Sequence, residues 1–541
     1  MASPRAHGEA RRELELAAHV MLDRHPAVGF AIGLVRAGRS AVFVNHGLAD
    51  VAAGTPVTQD TVFRIASITK LFTAIALAQL WEQGRIDLDA PAAEYLRAFA
   101  LRPASPRFRP ATVRQLLTHT AGVPEVLHLG DMAHPSWGPF MARPAQASVP
   151  MGQRLPSLAT YYRDGLPVTA EPGLAFRYSN HGFAALGQIV EDVSGVPYAR
   201  YVADHVFAPL GMDRTALARP DLPGVDVASG YVIGRGGPTP VPERDWICAA
   251  AGGIYSTPRD QARFIAALLG GGANEHGRIL APATLTMMLE PHFRPDPRLP
   301  GRGLAFVRGE IAGHRVVGHD GILPGFDSDM VVAPDDGVGL IAMTNGSVGA
   351  HTWLAVELDR LLRRLLGAPD DAIATDIAQR PEIWPDLCGR YGLPAGSDLR
   401  ARVAAAGGVE VRIDEGRLAL RVRTPIPPLW RGFQLHPDDP VDPNVFRIDP
   451  TAFGMSTVRA VFGRDAQARV EALYVDLPGQ PLTLVRRTPS EGTRARSVAA
   501  VGALALAVAL VRSRRTRSVV AGHRWGVGAW SGPPSIHWTG H

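Results

Sequence analysis

Among the 56 basic residues of this 541-residue chain there is a single lysine, Lys70, three positions after Ser67 in the stretch "FRIASITKLFTAIALAQLWEQG". A serine hydroxyl is a poor nucleophile until a base removes its proton. Residues i and i+3 share one face of a helix, so the Lys70 amine can fold back onto Ser67 Oγ. Arginine could not replace it, because guanidinium does not deprotonate in a protein, whereas a buried lysine can fall far below its usual pKa of about 10.4. A serine in the first turn also sits where unpaired backbone N–H groups and the helix dipole favour a developing anion. Spacing alone is weak support, since many helices carry Ser and Lys three apart by chance.

Two further stretches supply groups that such a nucleophile needs. "FRYSNHGFAALG" places Tyr178 and Asn180 at a turn before an apolar helix. The phenol can shuttle a proton, and the carboxamide can hold a substrate carbonyl or amide. Ser179 or Asn180 also suits the cap of the following helix, a role compatible with function. "VVGHDGILPGF" places His319, Asp320 and Gly321 at a strand end. A glycine there lets a substrate approach the backbone, and the next N–H, that of Ile322, can pair with the Ser67 N–H as an oxyanion hole. By itself His-Asp-Gly is also a good turn tripeptide. The sequence has no G-x-S-x-G elbow and no H-E-x-x-H helix. His119, His128, His134 and His181 have no clear ligand spacing, so neither metal nor cofactor is expected. His119, in "LLTHTAG", reads as a hydrogen-bonded structural residue.

The elements that must position these groups can be placed from pattern. Residues 67–83 read as an apolar helix stopped by Gly84, whose tolerance of left-handed geometry suits the position after a helix. "AVGFAIGLVRAGRSAVFVNHGLAD" reads as two strands joined by the "AGRS" turn. Strand signals return at 314–321 and at 329–345, the latter a hairpin around Asp336-Gly337, and a helix follows at about 351–366. Helical runs with Pro/Gly-rich connections fill about 85–300. The simplest arrangement is one antiparallel sheet built from both ends of the unit, with a helical region beside it.

That unit is expected to cover 15–368, with a linker at 369–385. Beyond it, Val409, Val411 and Ile413 alternate with polar residues, Asp414-Glu415-Gly416 turns the chain, and Leu418, Leu420 and Val422 alternate again. Further strand-like runs at 444–448, 458–462, 469–475 and 482–486 complete an all-β domain over 386–488. The fold class is therefore α+β followed by a smaller all-β domain. Residues 489–541 read as an Arg-rich tail.

Composition narrows the function classes. The formal net charge is +5, but from Arg486 onward there are nine Arg and one acid, so the body is mildly acidic and nucleic-acid binding has no electrostatic support. Two distant cysteines, Cys248 and Cys388, cannot be a disulfide framework. The N-terminus lacks the apolar core of a secretory signal, which suggests a cytoplasmic protein. The tail carries 14 uncharged residues between Ser497 and Arg512, short of the roughly 20 that span a bilayer. Weak peripheral membrane association is the alternative expectation there. Oligomeric state is left open.

Taken together, and in this order, the Ser67/Lys70, Tyr178/Asn180 and His319/Gly321 motifs resemble the serine β-lactamase-like hydrolases, which include penicillin-binding proteins, class C β-lactamases, D-amino-acid peptidases and family VIII carboxylesterases. The resemblance spans roughly 20–366 and includes "LLTHTAGVP" and "AAGGIYSTPRDQARF". It implies that Ser67 is acylated, that Lys70 and Tyr178 handle the proton, and that Asn180, His319, Gly321 and Ile322 bind substrate. The family's β-lactamases carry K-T-G or K-S-G where this chain has His319-Asp320-Gly321. A lysine there is a fixed cation, whereas histidine is mostly neutral at pH 7 unless a neighbour such as Asp320 raises it. The departure favours small carboxylic esters, with D-amino-acid peptides or amides and β-lactams as alternatives. From another class, the alternative is a non-catalytic peptide-binding or scaffold protein.

Overall fold

The computed structural model describes residues 4–37, 41–125, 148–219, 226–394, 408–422, 432–453, 455–477 and 481–487. The tail with its apolar run, His128, His134 and most of the "AGRS" turn lie outside the described residues. Among the described residues, no helix is long and apolar enough to cross a membrane.

Seven strands form the central sheet: β1 (Gly29–Arg36), β2 (Val42–Asp50), β3 (Thr55–Pro56), β4 (Val307–Ile311), β5 (His314–Leu323), β6 (Phe326–Ala333) and β7 (Val338–Thr344). Their spatial order is β4-β5-β6-β7-β1-β2-β3, antiparallel throughout. The first strands of the chain thus pair with the last strands of the unit, Phe30 opposite Thr344 and Leu34 opposite Leu340. Both faces are covered, and the period-two pleat of β1 shows it. Phe30, Ile32 and Leu34 enter a core with Leu14 and Met21 of helix α1 (Pro4–Arg24) and with Trp353, Leu358 and Leu361. Ala31 and Val35 point into the other, larger core.

That larger core is built on helix α2 (Thr69–Glu82), which is buried from Thr69 to Leu80. An apolar circumference of this kind marks a helix enclosed on all sides. Gly84 just beyond it has φ +67°, the left-handed geometry expected of it. Helix α3 (Val113–Leu117) packs on α4 (Asn180–Ser194), which with α5 (Ala249–Gly252) packs against α2; α6 (Pro258–Leu269) lies against β1 and β7 and brings the Phe264 ring to 4.3 Å from that of Phe72 on α2. Helix α7 (Ala350–Leu366) covers the opposite face of the sheet.

Eight strands close into a barrel beyond α7: β8 (Gly389–Gly392), β9 (Val409–Asp414), β10 (Arg417–Val422), β11 (Phe433–Pro437), β12 (Val445–Ile448), β13 (Val458–Arg464), β14 (Val470–Val475) and β15 (Leu482–Arg486). Its interior holds Val409, Val411, Leu418, Leu420, Phe446 and Phe462. The β9–β10 turn falls at Glu415-Gly416, both with positive φ, as the alternation on either side of it predicts. Strands β8 and β11 were not expected. The first is a glycine-bounded tetrapeptide and the second ends on proline, so neither carries a strand's composition; closure of the barrel recruits them.

The barrel docks on the loop at 296–300, which belongs to the first unit. Arg298 binds both oxygens of Asp296, reaches Asp442 of the barrel at 2.8 Å and donates to the Phe462 carbonyl at 2.9 Å. Beside it Leu299 packs against the barrel's Val445 and Val461.

Candidate active site

Ser67 does not open an α-helix directly. It lies in a 3-10 turn, Ala66–Ile68, that runs into α2. The residue before it, Ala66, has φ +48°, a left-handed conformation that a non-glycine residue adopts only when its surroundings impose it. Strand β5 supplies part of that enforcement. A Cβ at Gly321 would stand 2.2 Å from the Ile65 carbonyl oxygen, 2.5 Å from Ser328 Oγ and 3.1 Å from the Ala66 methyl. The missing side chain of Gly321 therefore makes room for the backbone that carries the nucleophile.

From this turn Ser67 Oγ meets two groups at once, Tyr178 OH at 2.8 Å and Lys70 Nζ at 2.9 Å. Lys70 Nζ also donates to Asn180 Oδ1 at 2.7 Å and to the Ala251 carbonyl at 2.8 Å, and lies 4.8 Å from the Tyr178 ring centre. All three ammonium protons thus have neutral acceptors. Lys70 is wholly buried, and desolvation brings its pKa down to about 7, with Glu125, Cys248 and Asp320 opposing the shift. Burial drives the Tyr178 phenol the other way, well above its usual value, despite the hydrogen bond to Ser67. Near neutrality the lysine can lose its proton and the tyrosine keeps its own.

The turn bearing Tyr178 and Asn180 is held by the "LLTHTAG" loop. Arg177 N–H donates to the His119 carbonyl at 2.6 Å, and Ser179 N–H donates to His119 Nδ1 at 3.1 Å. The His119 ring stacks on Tyr178 with 4.4 Å between ring centres. Burial keeps that imidazole neutral, as its acceptor role requires. Ser179 is the N-cap of α4, its Oγ accepting from Gly182 N–H, and Asn180 is the first helical residue. "AAGGIYSTPRDQARF" contributes the Ala251 carbonyl and the Thr257 cap of α6.

His319 and Gly321 lie on β5, opposite Met330 and Ser328 of β6. Strand β4 pairs only with residues 314–318, so 319–323 are free of it on that side. Ile322, in this stretch, is 47 % exposed. The His319 side chain is buried, and its Nδ1 hydrogen-bonds the Asp320 carbonyl at 2.6 Å. Desolvation lowers its pKa to about 4, and the opposing pull of the Asp320 carboxylate does not restore it. At pH 7 His319 is neutral.

Two charged groups of the site were not foreseen. Glu125 accepts Asn180 N–H at 2.6 Å and Asn180 Nδ2 at 2.7 Å. Arg302 is buried against Phe176, its guanidinium 4.9 Å from the ring centre, and makes no side-chain hydrogen bond or ion pair among the described residues. Desolvation lowers it to about 10, opposed by Asp476, Asp320 and Tyr178, so it stays charged. Arg302 also borders a cavity of about 580 Å³, walled by His319, Asp320 and Asp329 on one side and by Arg447 and Asp476 of the barrel on the other. No motif marked either residue, because each acts on partners distant in sequence.

Residues 16–362 match the family described as Beta-lactamase. The chain belongs to that family. Among its relatives, penicillin-binding protein 4 of Amycolatopsis lactamdurans is 28 % identical over 380 residues, covering 66 % of this chain and 93 % of that protein. The D-amino acid amidase of Ochrobactrum anthropi SV3, solved with L-phenylalanine amide, is 27 % identical with a TM-score of 0.52, covering 66 % of this chain and 99 % of that one. The octameric penicillin-binding protein homologue of Pyrococcus abyssi is 22 % identical with a TM-score of 0.53, covering 87 % of this chain and 99 % of that one. That share exceeds the family match and shows a fold shared into the barrel. Fold and relatives make this β-lactamase-family chain a serine hydrolase with a small-molecule substrate.

Proposed function

We propose that the protein hydrolyses small carboxylic esters through a covalent acyl-enzyme on Ser67. The observation that carries the mechanism is the three-way contact of Ser67 Oγ with Lys70 Nζ and Tyr178 OH. Neutral Lys70 takes the Ser67 proton as Oγ attacks the substrate carbonyl, and the N–H groups of Ser67 and Ile322 hold the oxyanion. Tyr178, which keeps its proton, passes it to the departing alkoxide. Water then attacks the acyl-enzyme by the reverse relay. His319 and Gly321 line the acyl side, and the neutrality of His319 supports a substrate without a carboxylate at that point.

Arg302 favours a second reading. Among the described residues its side chain has no hydrogen-bonded partner, which is costly for a buried cation, and an incoming carboxylate would supply one. On that reading the substrate is a D-amino-acid peptide or a β-lactam, in line with the names of the relatives.

Parallel turnover of p-nitrophenyl butyrate and a chromogenic cephalosporin by wild type and Ser67→Ala tests both. Ester turnover that disappears with Ser67, without cephalosporin turnover, is the expected result. Cephalosporin turnover that falls in Arg302→Gln would move the assignment to the second reading, and ester turnover that survives Ser67→Ala would sink both.

A further inference from the structure

The Asn180 carboxamide can be turned either way, and only one way suits Lys70. With Oδ1 toward the lysine it accepts from Nζ at 2.7 Å; reversed, two donors would face each other. Nothing within α4 decides between them. The group that does lies 55 residues earlier, where Glu125 takes Nδ2 of Asn180 on one carboxylate oxygen and its backbone N–H on the other. A carboxylate accepts and cannot donate, so this contact admits only the amide orientation that offers Oδ1 to Lys70. It also stands at the N-terminus of α4, where a negative charge is favoured.

We propose that Glu125 is a positioning residue of the catalytic site: it fixes the Asn180 carboxamide toward Lys70 and holds a negative charge behind it, setting how readily Lys70 gives up its proton. The proposal rests on Lys70 being the base for Ser67. Around Lys70 stand Cys248 before α5, Asp320 and neutral His319 on β5, neutral His119 and the protonated Tyr178 phenol, with Arg302 beyond Tyr178. Of the opposing charges, Glu125 acts most strongly on Lys70. Its negative charge favours the ammonium form, so removing that charge makes Lys70 deprotonate at lower pH.

The test needs no knowledge of the natural substrate. A fluorophosphonate probe reacts with the full-length protein as Ser67 Oγ bonds to phosphorus, fluoride leaves and the serine proton passes to Lys70. Its labelling rate is measured from pH 5 to 10 in wild type, Glu125→Gln and Glu125→Asp. In Glu125→Gln the acid limb is expected to move to lower pH, raising the ratio of the pH 6 rate to the pH 9 rate by about 2.5-fold, the change that half a pKa unit produces on a limb centred near pH 7. Glu125→Asp keeps the charge, so its limb should coincide with that of wild type while its plateau falls. Should Glu125→Gln fail to fold, Glu125→Ala removes the charge without setting a donor against Asn180. A charge-removing variant whose limb coincides with wild type overturns the proposal, as does a limb that moves equally in Glu125→Asp. Failure of the underlying reading shows separately, as unchanged labelling and an unchanged limb in Lys70→Met.

Discussion

Two cations of this molecule, Lys70 buried in the site and Arg298 half-buried at the barrel seam, are treated in opposite ways. Arg298 is clasped by the carboxylates of Asp296 and Asp442, and its pKa is held above the usual value, first by the Asp296 hydrogen bond. Lys70 is given only neutral acceptors, and desolvation lowers it. The seam uses charge for cohesion, where a fixed cation is wanted. The site destabilises a charge so that a proton can leave near neutrality. Beside the nucleophile the backbone is strained as well, with Ala66 at φ +48°.

Breaking the contrast at its functional end should cost most. Lys70→Arg restores a permanent cation, and turnover should fall by about a hundredfold or more. In wild type, turnover should rise with pH through about 7 as Lys70 loses its proton, and Lys70→Arg should lack that limb. A near-normal rate in the variant would remove Lys70 from the mechanism. Gly321→Ala attacks the support: its Cβ meets the Ile65 carbonyl at 2.2 Å, so the Ser67 turn must shift. The expected loss of labelling rate is on the order of tenfold, with the unfolding midpoint moving little by comparison. At the seam, Arg298→Ala should leave the labelling rate within about twofold of wild type while lowering stability to urea by about 2 kcal/mol, the scale of a lost charged hydrogen-bond cluster. A large loss of activity from Arg298→Ala would mean that seam and site are not separable.

How much of this was legible follows from sequence distance. Ser67 and Lys70 sit on one turn, so elementary helix geometry finds them, and the solitary lysine draws the eye to the pair. Tyr178, Asn180, His319 and Gly321 were reached as local motifs, and the structure brings Tyr178 and Asn180 into hydrogen-bond contact with that pair. The antiparallel sheet from both ends of the unit followed from strand signals at 29–50 and 314–345. Glu125 and Arg302 escaped because the first acts on a residue 55 positions away and the second on Tyr178 and the cavity, with no short-range pattern for either. The neutrality of His319 was open in the sequence, where Asp320 could have raised it. Burial decides that contest, and burial is a property of the assembled fold.

The pairing of β1 with β7 has a consequence in time. Gly29 and Thr344 share a hydrogen bond across 315 residues of chain. During synthesis the nucleophile and its lysine emerge early, yet Tyr178, Asn180, Ala251 and finally β5 must be made before the turn at Ala66 has its full support. Such long-range closure is slow compared with local helix formation. A nascent chain stalled before residue 320 would carry Ser67 and Lys70 on a helix without the strand that presses against their turn, and would be inert toward a serine probe. Reactivity toward such a probe therefore dates the moment at which the two ends of the sheet meet.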